Sequence, residues 1–382
     1  MCITSKIMRI VVTIISNIAL LVLVASVLLG SHYLVYSSFI HFFHITNSTA
    51  RYVLTVIVST LSISFIVTSI VAHYYETIAT RAAYFLSGLW LGLLVNLVLV
   101  FLFLWLVLVF GRFVGIATLS PLFVGVLLVA AVAVSGYGVW RALHPVVQAI
   151  SVHLPNLPEA WKDQTIVQLS DVHLGHVYQA GFLSGVVAQV NALHPKMVVI
   201  TGDLFDGMDG HLDSLVQPFN DIEAPDGVYF IIGNHETYLG VETALQALQG
   251  TQVTVLKDEV RDIGGLRLIG LSFPKRGEEK DVVATLRSLR DQYVDRPNIL
   301  LYHAPTRIAE IAESGVNLML SGHTHQGQQF PFQLLTHWVH HGYDYGLYAI
   351  GNFRLYTSSG VGTWGPTMRI GTQSEIVAIT LK

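Results

Sequence analysis

Five short groups of side chains in the second half of the chain have the types and spacing of a metal site. In order they are Asp171-Val-His173, Gly202-Asp203-Leu-Phe-Asp206, Gly233-Asn234-His235-Glu236, His303, and Gly322-His323-Thr-His325. Together they offer carboxylates, an amide and imidazoles, a hard-to-borderline donor set that suits Mn, Fe or Zn. Two divalent cations about 3.5–4 Å apart repel, so a carboxylate between them is needed to offset the charge. Asp203, in a tight Gly-Asp turn, is the candidate bridge. A water ionised by two such cations can attack phosphorus in line, and a neighbouring imidazolium can protonate the leaving oxygen. Each group alone carries little weight, because a Gly-Asp turn or an isolated histidine is far more often structural. Five in this order, each at the end of a strand-like run, carry much more.

Those runs are 165–170, 197–201, 227–232, 298–302 and 317–321, each four to six residues and rich in branched apolar side chains. Open α/β sheets hold their ligands at the carboxyl ends of strands, where all five groups fall. Between them, 182–192, 211–221, 241–249, 281–292 and 307–313 read as helices. Residues 253–256, 260–263 and 266–271 read as a meander turning at Gly264-Gly265. The stretch from Tyr348 to the alternation at 376–379 is strand-like again. Residues 161–382 therefore read as one α/β domain, within the ordinary size of one domain.

The first 150 residues have another texture. They carry only Lys6, Arg9, Arg51, Glu76, Arg81, Arg112 and Arg141 as charged groups, a net +5, against −9 for the remainder. With 52% hydrophobic and 12% charged residues overall, a single water-soluble globule is excluded, since ordinary domains are about 25% charged. The acidic balance of the second part also argues against a nucleic-acid partner, which needs a basic face. Cys2 is the only cysteine, so neither a disulfide framework nor a thiolate metal site is available. Four apolar runs, about 7–29, 52–72, 84–110 and 113–139, reach the roughly 20 residues that cross a bilayer. The third and fourth are separated only by Gly111 and Arg112, which predicts a tight helical hairpin. The first is too long for a cleaved signal peptide and is followed by three more. Residues 151–160, with two prolines, read as a linker. Lys6, Arg9, Arg81, Arg141 and Lys162 flank one side, against Arg51 and Arg112 on the other. That bias predicts a multi-pass protein of the plasma (inner) membrane with both termini and the α/β domain in the cytoplasm.

The order D-x-H, G-D-x-x-D, G-N-H-[DE], H and G-H-x-H resembles that of the calcineurin-like dimetal metallophosphoesterases, and it is matched throughout residues 165–325. The tail to Lys382 is similar to a membrane-associated bacterial branch that includes lipid-A-pathway pyrophosphatases. The resemblance implies a four-layer αββα sandwich with two facing sheets flanked by helices. It implies two divalent cations, Mn first and Fe or Zn as alternatives. One would take Asp171, His173, Asp203 and His325, the other Asp203, Asn234, His303 and His323. His235 would be the general acid, oriented by Asp206, whose place after the turn suits it to hold that ring in one tautomer. The activity implied is hydrolysis of a phosphodiester or pyrophosphate by a hydroxide bridging the metals. The bilayer and a lipid-linked phosphate are the expected partners. A catalytically idle scaffold or sensor, or a phosphoesterase of soluble nucleotides, are the alternatives. In one place the sequence departs from the pattern, with Gln326 where relatives often carry glycine, a costly choice if φ there is positive.

Other polar residues read more plainly. Asn17 and Asn96 in the spans are expected to bond neighbouring helices, Pro121 to be a tolerated irregularity, and His41 and His44 to lie at the lipid interface. His337, His340 and His341 read as a rim cluster and Lys275-Arg276 as a solvated loop. His176, Arg354 and Arg369 are candidate phosphate contacts without spacing that separates them from structural or surface groups.

Overall fold

The computed structural model describes residues 2–207, 211–275 and 277–382, with side chains at 16 and from 18 onward. The side chains of Lys6, Arg9 and Asn17, and the whole of Arg276, lie outside the described residues. The chain divides into two compact units, Met1–Ile70 with Leu86–Ser135, and Val71–Phe85 with Gly136–Lys382.

The first unit takes most of four long apolar helices, α1 (Cys2–Phe42), α2 (Ser48–Tyr74), α3 (Ile78–Gly111) and α4 (Pro121–Leu143), whose segments 71–74, 78–85 and 136–143 belong to the second unit. Each is long and apolar enough to cross a membrane. Most of their large apolar side chains face outward, as lipid-facing surface does, while Val35, Phe42, Phe101, Leu104 and Leu108 are buried among the helices. Polar side chains stitch the helices together. Trp90 Nε1 donates to His32 Nε2 at 3.0 Å, Trp105 Nε1 to Ser38 Oγ at 2.9 Å, and Asn96 Nδ2 to Ser135 Oγ at 2.7 Å. Asn96 therefore plays the inter-helix role expected of it, and His41 packs its ring 4.6 Å from that of Trp105.

The predicted tight hairpin at Gly111-Arg112 is not formed. A 3-10 turn at Arg112–Val114 and a loop precede α4, which starts at Pro121. Hydropathy sees only that 113–120 is apolar; the helix boundary follows from Pro121, whose missing N–H costs nothing at the first helical position. Pro121 is thus a helix start rather than an irregularity.

In the second unit two six-stranded sheets face each other. The first has the order β1 (Val146–Val152), β12 (Glu375–Leu381), β2 (Thr165–Leu169), β3 (Met197–Ile200), β4 (Val228–Ile231), β5 (Val253–Leu256). The second runs β10 (Gly346–Ile350), β11 (Phe353–Thr357), β9 (Leu318–Ser321), β8 (Asn298–Tyr302), β7 (Leu266–Leu271), β6 (Glu259–Ile263). Strands β2 to β5 are mutually parallel, as are β7, β8, β9 and β11. Ile166, Val199, Leu268 and Ile299 fill the space between the sheets. Helices α5 (Ala180–Asn191), α6 (Leu212–Val216) and α8 (Val241–Ala247) cover the outer face of the first sheet, with Val187, Leu215 and Ala244 in one cluster. Helices α9 (Val282–Leu289) and α10 (Ile308–Glu313) cover the second, through Leu286 and Ile311. Two short helices complete the unit, α7 (Asn234–Leu239) and α11 (Phe332–Val339). This is the four-layer αββα arrangement.

Two expectations are corrected. Residues 151 and 152, read as the start of a linker, end strand β1, which pairs in parallel with β12 from Val146↔Glu375 to Val152↔Leu381. Its alternating Val, Ala and Ile residues are a pairing signal that the nearby prolines mask. The meander is also split: β5 closes the first sheet while β6 and β7 belong to the second. Asp258, at φ +55°, turns the chain from one sheet to the other.

Candidate metal centre

Each functional group sits just past a strand end, so two facing sheets bring five loops to one place. Asp171 and His173 follow β2, Asp203 follows β3, Asn234 and His235 open α7 after β4, His303 follows β8, and His323 and His325 follow β9. The backbone there is strained. Asp171, His173, Asp203, His323 and His325 have φ of 51°, 54°, 51°, 73° and 49°. Non-glycine residues rarely adopt that region, and several together mark a site where function outweighs local strain. Gln326 follows at φ +52°, the costly conformation anticipated for it.

The donors form two clusters. In one, His173 Nε2 and His325 Nε2 are 3.1 Å apart, and His325 Nε2 lies 3.5 Å from Asp171 Oδ1. In the other, His303 Nε2 lies 3.1 Å from Asp203 Oδ2 and 3.0 Å from Asn234 Oδ1, while His323 Nδ1 lies 2.8 Å from the same amide oxygen. Asp203 is common to the groups Asp203–His303–His323 and His173–Asp203–His235. Each such group brings its donor atoms within 4.8 Å of one another, as does Asp171–His173–His325. All seven expected ligands are therefore brought together around Asp203.

The electrostatics match a cation site. Burial, and then the charge of neighbouring His303, pushes His323 down to about 3. Burial and His173 push His325 well below its usual value. Both rings are neutral near pH 7 and offer a lone pair. Burial and the Asp203 charge hold the Asp171 carboxyl above its usual value, against the pull of His303. Burial opposes charge on His303, but Asp203 outweighs it and pushes the ring up to about 10, so without a cation a proton fills that place. Buried carboxylates facing imidazole lone pairs are a donor set that a divalent cation fits.

Hydrogen bonds set the orientation. His303 Nδ1–H donates to Thr201 O at 2.8 Å, aiming Nε2 inward. His235 Nδ1–H donates to the main-chain oxygen of Asp206 at 3.0 Å, leaving Nε2 free for another partner. The expected contact from the Asp206 side chain to His235 is not made. Its Oδ1 lies 3.5 Å from His173 Nδ1 instead, because the extended run after β3 points this carboxylate toward the β2 loop. Burial and the nearby His173 hold His235 below its usual value.

Glu236, Arg369 and two motif glycines have roles here that the sequence does not state. Buried Glu236 accepts N–H groups from Asp203, Leu204, Phe205 and Gly233 at 2.7–3.1 Å, fixing the Asp203 loop to the start of α7. Arg369 is fully buried and donates to the carbonyls of Ser359, Gly362 and His325, so it braces the loops behind His325 instead of clamping phosphate. Arg354 bonds the carbonyls of Gly351 and Phe353. A Cβ at Gly233 would lie 2.3 Å from Asp203 Oδ1, and one at Gly322 would lie 2.1 Å from Asp171 Oδ2. His176 is turned away toward Tyr84, with ring centroids 6.0 Å apart. His340 packs 6.0 Å from the His323 ring, while His337 bonds Asp344 at 2.8 Å.

A family model described as calcineurin-like phosphoesterase matches residues 164–327. A Campylobacter jejuni protein named an uncharacterized metallophosphoesterase is 37% identical over 242 residues, 62% of this chain and 63% of that protein. A Helicobacter pylori protein of the same description is 34% identical over 65% of this chain and 68% of its own length. A Danio rerio transmembrane protein with metallophosphoesterase domain is 32% identical over 64% of this chain and 60% of its own. The chain thus spans less than two thirds of the Campylobacter and Danio relatives.

Proposed function

Because this chain belongs to the calcineurin-like metallophosphoesterase family, we propose that it is a membrane-anchored, two-metal phosphoesterase that hydrolyses a phosphodiester or pyrophosphate on a lipid-borne substrate. The observation that carries this reading is the run of overlapping donor groups, Asp171–His173–His325, His173–Asp203–His235 and Asp203–His303–His323, with Asp203 at its centre. Asp171, His173, Asp203 and His325 would hold one cation, and Asp203, Asn234, His303 and His323 the other, with Mn favoured by the mixed oxygen and nitrogen donors and Fe or Zn as alternatives. When bound, such cations draw charge from phosphoryl oxygens and bring the ionisation of water into the neutral range.

The chain's own groups supply the rest. His235 keeps its Nδ1 proton on the Asp206 carbonyl and presents Nε2. An anionic substrate beside it favours the imidazolium, which then gives its Nε2 proton to the leaving oxygen. Tyr238 and Trp364, with rings 5.4 and 6.0 Å from that of His235, are exposed surfaces against which a leaving group can pack. The Asp206 carboxylate lies 3.5 Å from His173 Nδ1, where its charge would steady that ring. The lipid assignment is supported by the spans and by the short step from α4 to β1, only Leu143 to Val146. The charge bias across the spans supports a plasma-membrane protein with this domain in the cytoplasm. A lost ligand would favour the idle-scaffold alternative, and the chain keeps a residue of donor type at every motif position.

The test is hydrolysis by the full-length protein in nanodiscs with Mn, comparing a phospholipid-borne diester with a p-nitrophenyl phosphodiester. Asp203→Asn is expected to lower both rates on the order of 1,000-fold and to reduce bound metal, since it weakens both cation places. Near-normal turnover with two metals retained would refute the bridge. A soluble nucleotide as the best substrate by kcat/KM would refute the lipid assignment.

A further inference from the structure

Helix α11 follows the last metal-site loop and contradicts the habit of every other outer helix in its unit: none of its residues is buried. Phe332, Leu334, Leu335, Trp338 and Val339 are exposed, Trp338 to 76%, and Phe330 just before it is exposed as well. At 3.6 residues per turn these side chains occupy one arc of about 160°, while Gln333, Thr336 and His337 occupy the other. No carboxylate lies on the helix.

The helix is fixed in place. Gln333 Nε2 donates to Ile370 O at 2.7 Å, Phe330 N donates to the same oxygen at 3.0 Å, and His337 pairs with Asp344 near the other end. The segment that holds it also rests on the last turns of α4. Arg369 N donates to Gly138 O at 2.9 Å, and a Cβ on Gly138 would lie 2.7 Å from Met368 and 2.9 Å from Ile370. Those turns carry Tyr137, Trp140, Arg141 and His144. Tyr137 stacks on Trp140 and Trp140 on His144, while Arg141 donates to Thr372 O at 3.2 Å. Aromatic and basic side chains at the end of an apolar span mark the level of the headgroups. Ile370 therefore ties α11 to the very turns at which α4 leaves the membrane.

We propose that α11 is an interfacial helix whose apolar side lies in the headgroup and upper acyl layer of the bilayer that α4 spans. It brings the mouth of the metal site, reached from α11 through His340 and His323, to the lipid surface. Amphipathic helices with Trp, Phe and Leu on one face lie in the interface plane in this way. The substrate consequence rests on the phosphoesterase reading above; the membrane contact does not.

The test uses the full chain with Cys2→Ser, carrying Trp338→Cys labelled with an environment-sensitive NBD probe, in nanodiscs of phosphatidylethanolamine and phosphatidylglycerol. A second variant, Leu334→Cys, guards against a local perturbation, and Glu242→Cys on the exposed side of α8 is the control. Lipids with a doxyl group high on the acyl chain are expected to quench positions 334 and 338 at least threefold more than 242, with blue-shifted emission. Equal quenching at all three positions overturns the proposal. So does a blue shift without lipid quenching, which would mean that a second copy or another protein covers the helix. Turnover of a phosphodiester with Mn is measured separately on the same nanodiscs, so an inactive protein with a quenched probe refutes the phosphoesterase reading alone. An active protein with an unquenched probe refutes the interfacial helix alone.

Discussion

Gln326 holds a backbone conformation, φ +52°, in which its Cβ crowds the following carbonyl. Glycine escapes that clash but loses more freedom on folding, so the two effects partly offset and leave about 0.5–1 kcal/mol in favour of glycine. Gln326→Gly is therefore expected to raise Tm by roughly 2 °C in calorimetry, with metal content unchanged. A lower Tm would mean that the glutamine side chain makes contacts worth more than the strain. The same conformation at Asp171, His173, Asp203, His323 and His325 admits no such remedy, because there the side chain is the donor. Strain at those residues turns three of the five loops, those after β2, β3 and β9, toward the shared centre.

At the level of elements, the start of α7 and the loop after β3 act as one piece because Glu236 accepts four main-chain N–H groups from them. Glu236→Ala leaves these buried donors without a partner, at a cost of roughly 3–5 kcal/mol. The expected result is a Tm lower by about 10 °C and weaker metal retention, measured on the metal-loaded protein. A small change in both would show that water replaces the carboxylate. Such pieces explain what was legible from sequence. The strands before the site were readable because continuous Val, Ile and Leu runs bounded by Gly, Asp and His leave little else to be, and the ligands because their spacing recurs at each strand end. The role of Glu236 is hidden in sequence, since three of its four partners are main-chain groups some thirty residues earlier. Asp206 does hold the His235 ring, but through its main-chain oxygen while its carboxylate faces His173, because spacing along the chain does not say which way a side chain turns. Arg369, a candidate phosphate contact from sequence, is instead buried by carbonyls from loops at Ser359, Gly362 and His325. The break before α4 was hidden by apolar composition, and β1 by its prolines.

For the whole molecule, β1 makes the end of the membrane region part of the sheet. Ser374 Oγ donates to Ala142 O at 3.1 Å, and Val146 N to Ser374 O at 2.9 Å. A fragment beginning at Ser151 would lose most of β1 and uncover the edge of β12, while one beginning at Gly136 would keep both. The shorter fragment is expected to melt several degrees lower and to aggregate, as exposed strand edges do. Light scattering and thermal melts on the pair check this. Equal behaviour would show β1 to be dispensable. The position of β12 has a further consequence, in time. It pairs with β1 and β2, which precede it by some 200 residues, so on the ribosome the first sheet waits for almost all of the domain to be made. The helices reach the bilayer long before that, and the loop carrying Gly360 and Arg369, which packs against Asp171 and His325, is also late. On the proposed reading, the metal site is completed only after the helices are moored, so hydrolysis would begin at the membrane.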